Sequence, residues 1–358
     1  MDDAVVTSAR DLSAHSTAAD RTGETERTAA DLPFLTTGNP RPVLQAASEA
    51  LARGEPAVLA LVLEADGSTY SHAGSVALFA GETQVGWLSG GCLEPELTRR
   101  AAHAAVTGRL GWIEIDTRDD GALFSGAALG CRGRLRIALL PLASLPAIEA
   151  CIARWLDGAV ELNIALGLDG RVDFASGDAM QHVVLPCDAL PWTADATRWS
   201  LPVARLPEVL LLGAGPETSM LVGLLRDLGW RVSADEPRLR WQASVASADA
   251  SISTDAQRQH ARACADAALV MHHDFERDLH ALQTLAFSRV AFVGLLGPPR
   301  RRDDLLKLLH AREREALLPR LHAPVGLDLG GQGPEAIALS IAAQLQAWRA
   351  QYDTTRSA

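Results

Sequence analysis

Apolar residues in this chain come in short blocks set between glycine and proline breaks. Ala57-Val58-Leu59-Ala60-Leu61-Val62-Leu63 is one such block, and an uninterrupted apolar run of that length predicts a strand buried on both faces. Upstream, Leu44, Ala47 and Leu51 fall at helical spacing after Pro42 and predict a helix near the start of the ordered region. Gly67-Ser68-Thr69-Tyr70 reads as a turn. Ser75 to Phe79 and Thr83 to Trp87 read as strands around Ala80-Gly81-Glu82. Glu94 to Val106 follows as a helix, and Trp112 to Asp116 and Arg134 to Leu140 as two more strands. This is a mixed α/β unit whose clear part ends near Pro141. Beyond it the pattern weakens. A helix over 148–156 and a few strands fit, and Pro186, Pro191, Pro202 and Pro207 mark loops.

From Glu208 the alternation becomes regular. Val209 to Leu212 is an apolar strand running into Gly213-Ala214-Gly215, with a helix over 218–228 and a second strand from Trp230 to Ala234. Leu269 to Met271 and Val290 to Val293 are further strand candidates, each followed by helical spacing, and a last helix spans 334–351. Strands alternating with helices in this way predict a Rossmann-like doubly wound domain, a parallel sheet covered on both faces. The expected plan is a tail over 1–38, an N-terminal α/β domain over 39–190, a linker over 191–206, the doubly wound domain over 207–352 and a short tail over 353–358. The first segment is rich in Ala, Thr, Ser, Asp and Arg, carries few large apolar groups to bury, and is expected to be disordered.

Composition then narrows the function. The 358 residues exceed what one core needs, which agrees with two domains. A net charge of −11 argues against a nucleic-acid partner. The one dense basic run, Pro299-Arg300-Arg301-Arg302, is answered at once by Asp303 and Asp304. No apolar run approaches the roughly 20 residues of a membrane span, and the N-terminus lacks the pattern of a signal peptide. The five cysteines, Cys92, Cys131, Cys151, Cys187 and Cys264, are odd in number and widely spaced. Neither a zinc ribbon nor a disulfide framework is expected, and the expected compartment is a reducing cytoplasm.

Three stretches could carry chemistry. In Ser89-Gly90-Gly91-Cys92-Leu93-Glu94-Pro95 the proline suits a first helical turn, so Cys92 stands at a helix mouth. That position favours a thiolate, while Glu94 and Glu96 oppose it. Gly90 and Gly91 remove side chains and would let a bulky ligand approach. The alternative is a cysteine packed as a small hydrophobe. Cys131, in Leu129-Gly130-Cys131-Arg132-Gly133, is a second cysteine in a glycine-rich turn. Next, Gly213-Ala214-Gly215 between strand and helix is a ready anion site. It lacks the third small residue of the dinucleotide fingerprint, since position 218 is Thr218, but Asp235 and Glu236 are placed to meet a ribose. Binding of NAD(P) by an oxidoreductase is thus one reading, without an obvious catalytic dyad beside it. Finally, Met271-His272-His273-Asp274 follows a strand, where doubly wound sheets bind ligands. Capping of a helix by Asp274 is the alternative there.

Several of these stretches together resemble the XdhC/CoxI family, accessory proteins of molybdenum hydroxylases. The resemblance is carried by Gly67-Ser68-Thr69-Tyr70 with Gly74, by Ser89-Gly90-Gly91-Cys92-Leu93-Glu94, by Leu212-Gly213-Ala214-Gly215 and by Glu236-Pro237-Arg238. His272-His273-Asp274, Val293 to Gly297, Ala323 to Asp328 and Pro334 to Ile341 extend it over residues 42 to 348. The pattern departs from the family's at Ser71, Ala73, Arg132 and Pro298-Pro299-Arg300.

The resemblance implies a chaperone rather than an enzyme. Such a protein binds molybdenum cofactor, a molybdopterin that can carry a nucleotide, and supports exchange of its terminal Mo=O for Mo=S with sulfur from a cysteine desulfurase. It then inserts the cofactor into the apo-enzyme, of the xanthine dehydrogenase, aldehyde oxidoreductase or CO dehydrogenase type. It also implies a homodimer. The expected contacts are Cys92, with a possible bond to molybdenum, Cys131, Gly90, Gly91, Ser68 and Tyr70 in the first domain. In the second they are Gly213, Gly215, Glu236, His273 and Asp274.

Overall fold

Alternate side chains of the first apolar block serve two different cores. The computed structural model describes residues 26–28, 38–118, 132–158, 160–193, 195–252 and 255–356. Its first elements are β1 (Glu26–Thr28), α1 (Arg41–Arg53), β2 (Val58–Gly67), β3 (Val76–Ala80), β4 (Thr83–Val85), α2 (Glu94–Thr107), β5 (Gly111–Asp116) and β6 (Gly133–Pro141). They are followed by α3 (Ile148–Leu156), β7 (Leu162–Gly167), β8 (Arg171–Ser176), β9 (Ala179–Val184) and β10 (Arg198–Val203). Leu59, Leu61 and Leu63 of β2 share a core with α1 and α3, whereas Val58, Ala60 and Val62 pack in another with Leu97, Ala101 and Ala104 of α2. Burial on both faces is the expectation of the continuous apolar run, yet the sheet is antiparallel, in the order β4-β3-β2-β6-β5. Helices cover both its faces, which serves the same purpose as a crossover.

A second sheet, β1-β10-β7-β8-β9, faces the core of α1 and α3. It corrects two expectations. The stretch 191–206 contains β10, paired with β7 from Arg198↔Gly167 to Val203↔Leu162, and so is not simply a linker. Prolines hid this strand, but its alternation is regular, with Trp199, Leu201 and Val203 buried. Pro202 is tolerated because β1 covers only Arg198 to Ser200, leaving an open edge where no ladder donor is needed. In the same way Glu26–Thr28, inside the segment read as a disordered tail, is a strand parallel to β10.

The remaining elements are β11 (Glu208–Leu212), α4 (Thr218–Asp227), β12 (Arg231–Asp235), α5 (Leu239–Gln242), β13 (Ala250–Ser251), α6 (Asp255–Cys264), β14 (Ala267–Val270), α7 (Phe275–Ala286) and β15 (Phe292–Leu295). They end with α8 (Pro299–Leu308), α9 (Ala311–Leu317), β16 (Leu321–His322) and α10 (Pro334–Arg356). All six strands are parallel, in the order β13-β12-β11-β14-β15-β16. That is the Rossmann order, which reverses between β11 and β14 and opens a crevice beyond their carboxyl ends. The two sheet faces bury separate cores, Leu211 with α4 and α10, and Leu212 with α7. Arg41 at the start of α1 joins the two domains. Its Nη1 donates to Trp230 O and to Asp249 Oδ2, both at 3.0 Å, and Asn39 Nδ2 donates to Asp227 O at 3.0 Å.

Candidate functional site

Cys92 lies in the turn between β4 and α2, and the turn is built around Ser89. The buried Glu94 carboxylate accepts the Ser89 N–H at 3.0 Å and its hydroxyl proton. Ser89 Oγ in turn accepts from Gly91 N–H at 3.2 Å and Leu93 N–H at 3.1 Å, which satisfies amides that a helix start leaves open. The Cys92 thiol donates to the same oxygen at 3.6 Å. The serine proton is committed to Glu94, so the thiol is the donor in this contact. Cys92 is exposed, as are Gly90 and Gly91. A Cβ at either glycine would meet open space, and only Gly91, at φ +103°, has a backbone that demands glycine. Both glutamates expected to oppose a thiolate have partners of their own. Glu94 is occupied by Ser89, and Glu96 by Arg99 and Arg100, whose hydrogen bonds hold its carboxyl down to about 2.

The turn at Ser68 and Tyr70 packs beside Cys92. Ser71 Oγ donates to Leu88 O at 2.8 Å and ties the two loops together. Ser68 N–H donates to Arg132 O at 2.9 Å, a close approach possible because a Cβ at Gly67 would stand 2.7 Å from that oxygen. Tyr70, Ser89, Cys92, Thr117 and Gly133 share one pocket of about 20 Å³, room for roughly one water. A larger ligand would therefore rest on its rim, where Tyr70 is about 60% exposed; Trp87, two residues before Ser89, is exposed to the same degree. Cys131 lies outside the described residues.

The second constellation lies at the crevice of the parallel sheet, and its polar groups are largely engaged by one another. Gly213, at φ +94°, ends β11 against the end of β14, where a Cβ would fall 2.5 Å from His272 Cα. Gly215 N–H donates to Thr218 Oγ1 at 2.8 Å, so the residue in the third fingerprint position takes an amide that a phosphate would use. Glu236 is bound by Arg238, whose Nε donates to it at 2.8 Å. Burial pushes the Glu236 carboxyl up, but these hydrogen bonds outweigh it and hold it below the usual range. Arg238 also donates to His272 O at 2.6 Å and Ala214 O at 3.0 Å, closing the gap between β11 and β14. Asp235 pairs with Arg258 at 3.1 Å, and burial pushes its carboxyl up despite that pair. The nucleotide contacts expected of Gly215, Asp235 and Glu236 thus fall on groups that already have partners within the chain.

His273 and Asp274 stand at the same crevice. Asp274 caps α7, accepting from Arg277 N–H at 3.0 Å, a bond that holds its carboxyl below the usual range. It also lies on the wall of a polar cleft of about 710 Å³, shared with Asp235, Arg258, Arg262, His272 and His280. Sequence reasoning missed two groups here. The first is Asp278, fully buried, which accepts from His272 Nδ1 at 3.1 Å and from Arg301 at 2.7 Å. This is a histidine–aspartate dyad beside a cleft, formed by residues on a strand end and a helix. The second is Glu217, at the start of α4. The signal available for both was only an acid near the start of a helix.

The family description "XdhC Rossmann domain" matches residues 209–345, and "XdhC and CoxI family" matches residues 50–116. A protein of Bacillus subtilis, described as one of the probable subunits of xanthine dehydrogenase, is 26% identical over 313 residues, covering 81% of this chain and 92% of that protein. The molybdenum cofactor insertion chaperone PaoD of Escherichia coli is 26% identical over 329 residues, 88% of this chain and 90% of its own length. Among solved structures, a protein of Bacillus halodurans described as a xanthine dehydrogenase superposes with a TM-score of 0.69 at 26% identity, over 86% of this chain and 96% of that one.

Proposed function

Since the chain belongs to the XdhC and CoxI family, we propose that it is an accessory chaperone that binds molybdenum cofactor, supports its sulfuration and inserts it into a molybdenum hydroxylase. The similarity to the insertion chaperone PaoD over most of both chains supports this role. The observation that carries it here is the exposed Cys92 thiol on a turn braced by Ser89 and Glu94, with Gly90 and Gly91 leaving open space beside it. Cysteine sulfur suits a soft metal, and a planar pterin on the rim would find Tyr70 exposed for stacking.

Each residue has a limited part in this reading. Cys92 holds the metal end of the cargo, with Cys131 as the second contact. Ser89 and Glu94 keep the turn in shape, Tyr70 forms the opposite wall, and Ser68 anchors the turn that carries it. The cargo brings the molybdenum that accepts sulfur, and a cysteine desulfurase supplies that sulfur. The protein contributes orientation and shelter rather than turnover, as a cytoplasmic homodimer that hands the cofactor to the apo-enzyme. No helix among the described residues is long and apolar enough to cross a membrane.

The test uses protein purified from cells fed molybdate. Pterin released by oxidation is measured by fluorescence in wild type, Cys92→Ala and Cys131→Ala, together with activation of the apo-hydroxylase. Cys92→Ala is expected to lose most of the bound pterin and of the activation. Retention and activation equal to wild type in both variants would overturn the reading.

A further inference from the structure

The glycine loop between β11 and α4 has the form of a phosphate site but holds a carboxylate of its own. A helix N-terminus attracts anions through its open amides and its dipole. Here the N-cap position of α4 is Glu217, only 3% exposed. Its Oε1 has no hydrogen-bond donor, and the nearest basic atom is His273 Nε2 at 3.6 Å. Both point at Gly215. A Cβ at that residue would lie 2.7 Å from Glu217 Oε1 and 2.7 Å from His273 Nε2, so the two side chains converge on the face where Gly215 carries none. His273 is half-exposed and is the one described non-glycine residue with a positive φ, +56°. A non-glycine residue held in that region marks a place where the surroundings impose the geometry.

We propose that Glu217 makes this loop a site for a paired N–H donor edge, such as the 2-amino-4-oxopyrimidine edge of a pterin or a guanine, and not for a phosphate. A phosphate in the loop would face the carboxylate at contact distance, and the Gly215 amide it needs is already given to Thr218 Oγ1. A buried acceptor without a donor is costly, and an amine with an adjacent ring N–H supplies two parallel donors to one carboxylate, as a guanidinium does. The half-exposed His273 ring covers the acid and is the group such a ligand would displace. A pterin occupant rests on the molybdenum-cofactor reading, whereas the donor-edge chemistry rests on Glu217 itself.

The test titrates full-length protein calorimetrically with free pterin, guanosine and ADP-ribose. Pterin or guanosine is expected to bind, and whichever binds more tightly identifies the source of the edge. Glu217→Gln, of equal size, is expected to weaken that binding at least tenfold, and thermal melting checks that the variant folds. Gly215→Ala, whose Cβ would crowd both Glu217 and His273, is expected to abolish it. Wild type is expected not to bind ADP-ribose. Three results would overturn the proposal: binding of neither pterin nor guanosine, equal affinity in Glu217→Gln, or tight binding of ADP-ribose by wild type. The test is separable from that of Cys92, because free pterin carries no metal. Full cofactor retention in Cys92→Ala would sink the chaperone reading and leave a Glu217-dependent donor site standing.

Discussion

Two substitutions of glycine by alanine, ten residues apart, are expected to act in opposite directions. At Gly213 the added Cβ would lie 2.5 Å from both Cα and N of His272, and the residue has φ +94°. The obstacle is backbone at the end of a neighbouring strand, which cannot rotate away, so β11 and β14 must separate. Overpacking of this kind costs roughly 1–3 kcal/mol or more, and holding alanine at an unfavourable φ costs roughly 1–3 kcal/mol again. A total of roughly 2–6 kcal/mol in a domain of this size lowers its melting temperature by about 6–20 °C. At Gly223, inside α4, an added Cβ meets nothing within 4 Å. Alanine there should stabilise the helix by roughly 0.5–1 kcal/mol and raise the transition by about 2–3 °C. Scanning calorimetry of the full chain measures both shifts. Hydrogen exchange assigns them, with protection lost over 208–212 and 267–272 but kept over 58–63. A C-terminal transition in Gly213→Ala within about 2 °C of wild type would refute the claim that the strand ends are rigidly apposed.

Two further predictions concern polar groups. Burial pushes the Asp249 carboxyl up, but the hydrogen bonds from Arg41 and Val232 N–H prevail and hold it below the usual range. A depressed carboxyl contributes stability above its unfolded value, near 3.9, and loses it as the pH falls through the lower folded value. Asp249→Asn should therefore melt earlier than wild type between about pH 5 and 8, with the gap closing below about pH 4; a gap independent of pH would count against the Arg41–Asp249 pair as the bond between the domains. In the cysteine turn, Glu94→Gln weakens the acceptor for Ser89 N–H and its hydroxyl. Exchange of the Ser89 amide should quicken about tenfold, the equivalent of roughly 1.4 kcal/mol of local opening, and an unchanged rate would show that Glu94 does not brace the turn.

Local pattern was enough to place most elements and the order of the domains. The apolar blocks at 57–63 and 208–212, the helical spacing after Glu94 and Thr218, and the glycine punctuation are properties of neighbouring residues, and the structure keeps them within a few positions. Motifs scattered over both domains were likewise enough to suggest the family. Tertiary structure decided what the motif residues do. Pro202 read as a breaker because the open edge that tolerates it depends on the short reach of β1. Asp235 read as a ribose contact because Arg258, which pairs with it, arrives from a later helix, and Glu236 because the sequence does not show that Arg238, two residues on, folds back onto it. Asp278 and Glu217 drew no notice because an acid near a helix start is ordinary until a strand end brings His272 or His273 against it. Hydrophobic burial follows a short period that a sequence displays directly. The partner of a polar group is set by which chain ends the packed sheet brings together, and that convergence exists only in the folded chain.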